Sequence, residues 1–508
     1  MPISFEAIPQ NWRQPLYFVE VDPSKAGLPL IRQPALLVGV MLSAGIASAD
    51  VPIPIGTQAE ADKQFGRGSQ LAAMFKTFYA NNWGQEVWGV PLAEPGAGTA
   101  ATGTITIGTA PTEAGTLHLY IAGVHVPIGV TSADTPTTVA AAIVTAITAD
   151  TNLPVTATSA LGVVTVLCKW KGTSGNDIDM RDNYYGTVGG QEMPVSMTVT
   201  YSGSGKLTTG AGVPVFTTAI SNLGENEYEY VALPFTDSTS LLAWETEYGF
   251  SDSGRWGWMR QLYGHLFSAM RGAYATLIAF GPTRNSAQLS VLGVELGSPS
   301  PIWDWAAAYT AKSARGLTND PARPLQTLQL ANVLPARGED RFVLPELNAL
   351  SGYGIATQRT LVANTAIISR ETTTAQLNRY GFTDDAYELV TTLATLARLM
   401  RNQRQAITSK FPRHKLANDG TRFGAGQAIV TPKIVKAELV AQYRQDEFDG
   451  LVEDVASFKA HLIVERDSAY PTRLNVLYPP DLINGLRMFA VLAQFRLQYN
   501  RGFDQEIV

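Results

Sequence analysis

The sequence predicts a multi-domain α/β (α+β) protein. It has a mixed-sheet core built from N- and C-terminal parts, a β-rich domain inserted between them, and extended strands at both chain ends. Three observations predict this. Residues 34–90 read strand, helix, strand; residues 95–224 switch to a charge-poor composition dense in Thr, Gly, Val and Ala; and α/β punctuation returns after about residue 225. At about 150 residues per domain, 508 residues imply two to four domains.

The N-terminal arm, residues 1–30, carries Pro2, Pro9, Pro15, Pro23 and Pro29, which exclude a helix and favour an extended chain. Its one strand-like run is Leu16, Tyr17, Phe18, Val19, Glu20 and Val21. A lone strand is not stable by itself, so this one must pair elsewhere; the alternative is an edge strand of its own domain. The first part of the core, residues 31–94, opens on a buried strand at 34–40. A helix is expected over 58–81, with Thr57 as N-cap, Glu60 in the first turn, and Leu71, Met74, Phe75 and Phe78 three or four apart. A second strand at 86–90 completes a βαβ-like start, which favours a mixed sheet with covering helices.

The inserted domain, residues 95–224, holds eleven charged residues in 130, about 8%, against about 19% elsewhere. Alternating segments at 104–107, 117–121 and 163–167 read as strands. A helix over 137–149 is introduced by Asp134, Thr135 and Pro136. The second part of the core, residues 225–487, reads as strand 228–233, helix 238–248, helix 256–269, strand 274–280, helix 287–295 and helix 302–315. The strongest helix is expected over 384–408, with Leu389, Leu393, Leu396, Leu399 and Met400 on one face. Another runs over 432–449, with Pro432 suited to its first turn. Strands near 460–465 and 473–477 precede Pro479, Pro480 and Asp481, which read as opening a short helix. The C-terminal arm strand and tail, residues 488–508, begin with an apolar strand over 488–499.

Composition narrows the function. Charged residues are 16% and apolar residues 45%, too apolar for a disordered chain. The net charge of −6 gives no broad basic field for DNA. Cys168 is the only cysteine, so an intrachain disulfide or multi-cysteine zinc site is impossible. The opening MPISFEAIPQNW lacks a basic, then apolar, leader, and the longest uncharged apolar stretch, near 34–49, falls short of the roughly 20 residues of a membrane span. A soluble protein kept in the cytoplasm is the expectation.

Candidate catalytic motifs fail on inspection. Gly203-Ser204-Gly205-Lys206 is followed by Leu207, so the hydroxyl that a phosphate-binding loop uses for Mg²⁺ is missing. No GxSxG elbow occurs, and the five histidines form no HExxH pair. Asp177, Asp179 and Asp182 lie close together, but Asp182 stands where a calcium loop needs glycine, so a turn bonded to backbone N–H groups is expected. No cofactor and no metal site is expected. The alternative to a structural protein is a soluble α/β enzyme with a β-rich accessory domain, and the missing catalytic set argues against it.

Charge patterning says more. Arg398, Arg401, Arg404, Lys410, Arg413 and Lys415 form a basic stretch; Asp446, Glu447, Asp449, Glu453 and Asp454 form an acidic one. They are either two solvated faces or complementary patches on neighbouring copies.

Long motifs carry a resemblance. ITSKFPRHKLANDGTRFGAGQAIVTPKIVKAELVAQYR (407–444), LIVERD (462–467), RLNVLYPPDLINGLRMFAVLAQFRL (473–497), GRWGWMRQLYGHLFSAMRG (254–272), GNDID (175–179) and ISFEAIPQNWRQPLYFVEVD (3–22) resemble Mu-like phage tail sheath proteins of the contractile tail sheath family. The resemblance runs along nearly the whole chain and is weakest over 95–224. It implies a non-enzymatic subunit that polymerises helically around a tail tube protein and contracts to drive the tube through a cell envelope. Baseplate and tail terminator proteins are further implied partners, with no direct nucleic acid and no membrane insertion. It implies a place in the virion tail, after assembly in the host bacterial cytoplasm.

Neighbours in such sheaths are joined by strand exchange, which β-augmentation makes possible. Tyr17, Phe18, Val19, Glu20 and Val21 then match the donated N-terminal strand, and Phe489, Val491, Ala493, Phe495 and Leu497 the C-terminal one. Arg398, Arg401, Arg404, Asp446, Glu447, Asp449 and Arg487 become candidates for contacts with neighbours or the tube. The tube-facing helix is expected at 481–487 or 434–449, and the inserted domain on the outer surface.

Overall fold

The computed structural model describes residues 32–361 and 364–497, so the expected strand at 16–21 lies outside the described residues. The chain divides into a unit of residues 1–33 and a body of residues 34–508. The body is built on a nine-stranded mixed sheet. Its spatial order is Gln329–Leu330, Thr365–Arg370, Ile355–Leu361, Leu289–Glu295, His265–Gly272, Tyr230–Ala232, Ala35–Val40, Val87–Leu92 and Ile53–Ile55. The six strands from Ile355–Leu361 to Val87–Leu92 are parallel; Thr365–Arg370 and Ile53–Ile55 run antiparallel to them, and Gln329–Leu330 pairs antiparallel with Thr365–Arg370. Ala35–Val40 lies between Val87–Leu92 and Tyr230–Ala232, with Leu36 opposite both Trp88 and Val231. Segments before and after residues 95–224 therefore meet on one strand.

Parallel strands are covered on both faces, so they become uniformly apolar. Ala35–Val40 and Leu289–Glu295 are buried at every position. The helices Gln70–Asn81 and Ile302–Asn319 pack against each other and against the central strands, bringing Phe75, Phe78, Trp303 and Tyr309 into the core. The α/β class expected from the sequence is the class observed.

Residues 95–224 form two antiparallel sheets and a helix. One sheet has the order Thr198–Tyr201, Ala100–Thr109, Val163–Lys171, Val155–Ala160; the other has the order Val124–Val130, Gly115–Ile121, Met180–Asp182. The helix Pro136–Ala149 packs on both and starts with a Thr135/Thr138 capping box. The apolar cluster of this region is continuous with that of the nine-stranded sheet. A separate cluster holds the C-terminal lobe, where Leu399, Leu439, Tyr443 and Phe458 join the helices Val390–Lys410, Pro432–Phe448 and Val455–His461.

Several expected elements differ. The helix expected over 58–81 is two, Gln58–Phe65 and Gln70–Asn81, broken where Gly66 and Gly68 take φ of 84° and 80° and Ser69 caps the second. The helix expected over 256–269 is a set of turns followed by the strand His265–Gly272. Residues 274–280, expected as a strand, are the helix Tyr274–Phe280; residues 287–295, expected as a helix, contain the strand Leu289–Glu295. The long helix starts at Val390 rather than 384, because Thr373 N and Val390 N donate to Glu388 O and Glu371 O and hold the preceding residues as a crossing segment. The helix Val455–His461 stands before the strand Ile463–Arg466, where only a strand was expected. Residues 481–487 form no helix, since Asp481 and Ile483 spend their backbone bonds on Glu453 and Leu451.

Candidate assembly surface

The C-terminal lobe ends in a two-stranded antiparallel hairpin, Ile463–Arg466 with Leu474–Leu477. Its turn is organised by Asp467, whose carboxylate accepts from Asn475 Nδ2 and from the backbone N–H groups of Ala469 and Tyr470 at 2.8–3.0 Å. These bonds, the Asn475 one first, hold the Asp467 carboxyl below its usual range. Val464 and Leu474 face the lobe's core, whereas Ile463, Val476 and Leu477 are exposed. Among the described residues, neither outer edge of this hairpin pairs with another strand. Two strands alone make a marginal sheet and leave a row of unpaired N–H and C=O groups at each edge.

After Tyr478, whose ring packs on Tyr443 and Phe458, the chain runs back over the lobe. Tyr443 Oη donates to Glu453 O at 2.7 Å and accepts from Asp481 N at 3.1 Å. Arg487 anchors this segment: it donates to the fully buried Glu371 carboxylate at 2.6 Å and to Thr391 Oγ1 at 3.3 Å. Beyond it, residues 488–497 belong to no strand of this chain, and residues 498 and 499 of the expected strand lie outside the described residues. Phe489, Val491, Phe495 and Leu497 are exposed, Leu497 to 97%; Ala493 is exposed too.

The charged candidates separate into two groups. Arg401 is committed inside the chain: it bonds Glu229 at 2.9 Å and Glu227 at 2.6 Å, with its guanidinium 5.4 Å from the Tyr263 ring centre. Burial works against its charge, yet the Glu229 and Glu227 carboxylates hold its pKa above the ordinary arginine value. Arg398 is half-buried and donates to Thr318 O at 3.2 Å. Asp446 is fully buried and accepts from Asn402 and Gln442 at 2.8 and 3.0 Å; burial raises its pKa against those two donors. Arg487 is the tail anchor. Arg404, Glu447 and Asp449 are exposed. Lys410 pairs with Glu438 on the lobe surface.

The acidic motif at 175–182 also works inside the molecule. Asp177 pairs with Arg271 Nε at 2.8 Å and accepts from the Ile302 N–H at 2.6 Å, at the first residue of the helix Ile302–Asn319. Asp179 pairs with Arg181 and Lys206, and Arg181 also donates to Gly297 O at 2.6 Å. Among the described residues, no three His, Cys, Asp or Glu side chains converge as a metal site, and no helix is long and apolar enough to cross a membrane.

Sequence reading missed one surface feature, the loop before His265–Gly272. Arg255, 1% exposed, bonds Glu247 at 2.8 Å and the carbonyls of Asn226 and Gly224, and lies against the rings of Tyr228 and Tyr248. A Cβ on Gly254 or Gly257 would sit 2.2 Å from a backbone carbonyl oxygen, so the tight turns require glycine. This rigid loop presents Trp256, Trp258 and Tyr263, with Trp258 70% exposed and its indole N–H on Asp252. The clustered Gly, Ser and Asp at 249–257 were the available signal for turns.

Comparison with known proteins agrees with the motifs. The phage tail sheath protein central domain family matches residues 209–374, and the phage tail sheath C-terminal domain family matches residues 383–496. A relative, the Mu-like prophage FluMu tail sheath protein of Haemophilus influenzae, is 42% identical over 499 residues, covering 98% of this chain and all of the relative. Solved structures similar to it include sheath tail proteins of Desulfitobacterium hafniense (TM-score 0.48, 11% identity, 92% of this chain and 97% of that one) and Listeria innocua (0.47, 11%, 89% and 92%). With 42% identity along nearly its entire length, the chain belongs to the family of Mu-like phage tail sheath proteins.

Proposed function

We propose that this chain is the structural subunit of a contractile sheath that polymerises helically around an inner tail tube and shortens to drive that tube through a target cell envelope. The observation that carries the reading is the pairing of an incomplete two-stranded hairpin with an exposed apolar C-terminal segment. Each is unsatisfied alone, and each is what the other needs. Donated strands, Tyr17 to Val21 from one neighbour and Phe489 to Leu497 from another, complete the hairpin's edges by backbone hydrogen bonding. Contacts of this kind are heterologous, and where their rotation does not close into a ring they propagate as a helix.

Contraction is then a switch between two packings of the same subunits, with the strands retained and residues 23–29, Pro-flanked around Gly27, absorbing rotation. Arg404, Glu447 and Asp449, the exposed members of the charged stretches, are the residues left to meet a neighbour or the tube. Since residues 481–487 form no helix, Pro432–Phe448 is the helix proposed to face the tube. The tube, baseplate and tail terminator proteins are the proposed partners, without nucleic acid or membrane insertion. Assembly takes place in the host bacterial cytoplasm before the sheath becomes part of the virion tail. The arm 1–30, the core 31–94 and 225–487, the outward-facing insertion 95–224 and the arm 488–508 are the proposed working parts.

Electron microscopy of purified protein should show cylinders. A chain lacking residues 1–22 should keep the circular dichroism of the full chain yet form none. Cylinders formed normally by the truncated chain would rule out donation by that arm.

A further inference from the structure

The three-stranded sheet within residues 95–224 carries two histidines side by side. Tyr120 stands opposite His125 across the antiparallel pair Gly115–Ile121 and Val124–Val130, and His118 stands opposite Pro127. Side chains two apart on a strand share a face, so His118, Tyr120 and His125 lie on one face, with the histidines as diagonal neighbours. His118 Nδ1 is 3.0 Å from His125 Nε2. Both rings reach solvent: His118 is half-buried, and His125 is exposed on an outer strand of the sheet. At seven residues apart the pair matches no metal-binding motif in the sequence; the hairpin register creates it.

The surroundings hold the rings in place. His125 stacks on Tyr120, with ring centres 4.8 Å apart and planes 24° from parallel. Tyr120 Oη accepts from Gln191 Nε2 at 2.7 Å, and Gln191 Oε1 accepts from the Tyr185 N–H at 3.0 Å. A hydrogen bond between two rings that reach solvent competes with water and contributes little. The same placement suits an ion. Two nitrogens each about 2.0–2.1 Å from one metal, at angles between square and tetrahedral, stand about 2.9–3.4 Å apart. The observed 3.0 Å lies at the square end of that range. Ring centres 5.2 Å apart set the rings nearly end to end, so both must tilt to aim their lone pairs at one point. The ring torsion of histidine is broad enough to allow this. In the neutral pair, moving the shared hydrogen to the outer nitrogen of its own ring frees both facing nitrogens, and no proton is released.

We infer that His118 Nδ1 and His125 Nε2 form a two-nitrogen site for a divalent transition-metal ion that favours tetragonal coordination, Cu²⁺ or Ni²⁺. Imidazole suits these ions, whereas Mg²⁺ and Ca²⁺ require oxygen ligands. Among the described residues, no third His, Cys, Asp or Glu side chain joins the pair, so water or a donor from another molecule fills the remaining positions. The bound ion clips the outer strand Val124–Val130 to its neighbour.

Titration of the full chain with Cu²⁺ in a non-coordinating buffer tests this, read by calorimetry and electron paramagnetic resonance. One equivalent per chain should show splitting from two imidazole nitrogens. His118→Ala and His125→Ala, with unchanged circular dichroism, should each weaken that equivalent about tenfold or more and reduce the splitting to one nitrogen. His118→Gln and His125→Gln replace them if alanine disturbs the sheet. His414→Ala and His461→Ala, at exposed histidines elsewhere, should leave the equivalent intact. Full binding by a chain carrying both His118→Ala and His125→Ala, or a parent spectrum without two-nitrogen splitting, would overturn the site and leave the pair as a hydrogen bond only.

Discussion

Arg255 shows how one buried cation shapes a surface. Its guanidinium is nearly inaccessible and reaches Glu247 and two backbone carbonyls at once, between the rings of Tyr228 and Tyr248. Removing one partner of a buried pair leaves the other charge without compensation, which costs about 3–5 kcal/mol. Arg255→Ala should therefore destabilise the chain by about that amount in urea unfolding, whereas the exposed Arg404→Ala should cost about 0.5 kcal/mol or less. His265 is a second buried titratable group. Burial pushes its pKa down to about 3, and neither ring nitrogen has a hydrogen-bond partner among the described residues. The unfolded chain binds this proton below about pH 6.5, but the folded chain does not bind it until about pH 3. Stability contributed by neutral His265 is thus fully present above pH 6.5 and falls as pH drops, by up to about 1.4 kcal/mol per unit. His265→Leu should flatten the stability difference between about pH 7 and pH 5, as read from urea midpoints. At this scale the sequence was partly legible. It suggested that Asp177, Asp179 and Asp182 bond nearby backbone N–H groups of a turn, whereas Asp179 pairs with Arg181 and Lys206 and Asp182 ends the strand Met180–Asp182 and accepts from Tyr201 Oη. It did not reveal that Asp177 reaches Arg271, since their proximity is created only by the fold.

Elements with a visible period were the readable ones. The helices Ser238–Tyr248, Ile302–Asn319 and Pro432–Phe448 carry caps or amphipathic spacing and fall where expected. Segments 256–295 were misread because their signals are degenerate. His265–Gly272 and Leu289–Glu295 are central parallel strands buried on both faces, so no alternation distinguishes them from buried helix. Tyr274–Phe280 is aromatic and apolar enough to imitate a strand. The helix break at 66–69 has a consequence for packing. Gly68, at φ 80°, lies so close to the insertion that a Cβ would meet Lys169 Nζ and the carbonyl oxygens of Leu153 and Thr151 at 2.5–2.8 Å. Gly68→Ala must strain the backbone and push the loop at 151–153 away, for a loss of about 2 kcal/mol or more. Gly84, at φ 97°, has open space around it, so Gly84→Ala should lose only the conformational part, about 1 kcal/mol. Chemical denaturation of the two variants separates contact from conformation, and equal losses would show that the close approach at Gly68 carries no weight.

Over the whole body, the composition break at 95 falls shortly before the strand Ala100–Thr109 but said nothing about how firmly residues 95–224, the proposed insertion, are held. Its attachments join residues more than 90 apart in sequence, which no local pattern encodes. Tyr184 Oη donates to Pro335 O at 2.7 Å, Arg337 donates to Tyr184 O at 3.2 Å, and Arg181 donates to Gly297 O at 2.6 Å. Trp170 packs edge-on against Trp303 with ring centres 5.5 Å apart, inside an apolar cluster shared with the nine-stranded sheet. Asp177 holds the centre of this seam, pairing with Arg271 and bonding the first N–H of the helix Ile302–Asn319. Independent domains unfold in separate steps, whereas units sharing a core lose structure together. Insertion and central sheet should therefore melt in one calorimetric transition, apart from any separate step of the C-terminal lobe with its own cluster. Asp177→Ala strands the 5% exposed Arg271 and removes the bond at the helix start, so about 3 kcal/mol is lost. That loss should lower the shared transition by a few degrees without splitting it. A variant in which the insertion melts early as its own peak would show the seam to be a hinge. A hinge there would let the insertion move separately from the central sheet, whereas a single transition means that the two move as one body.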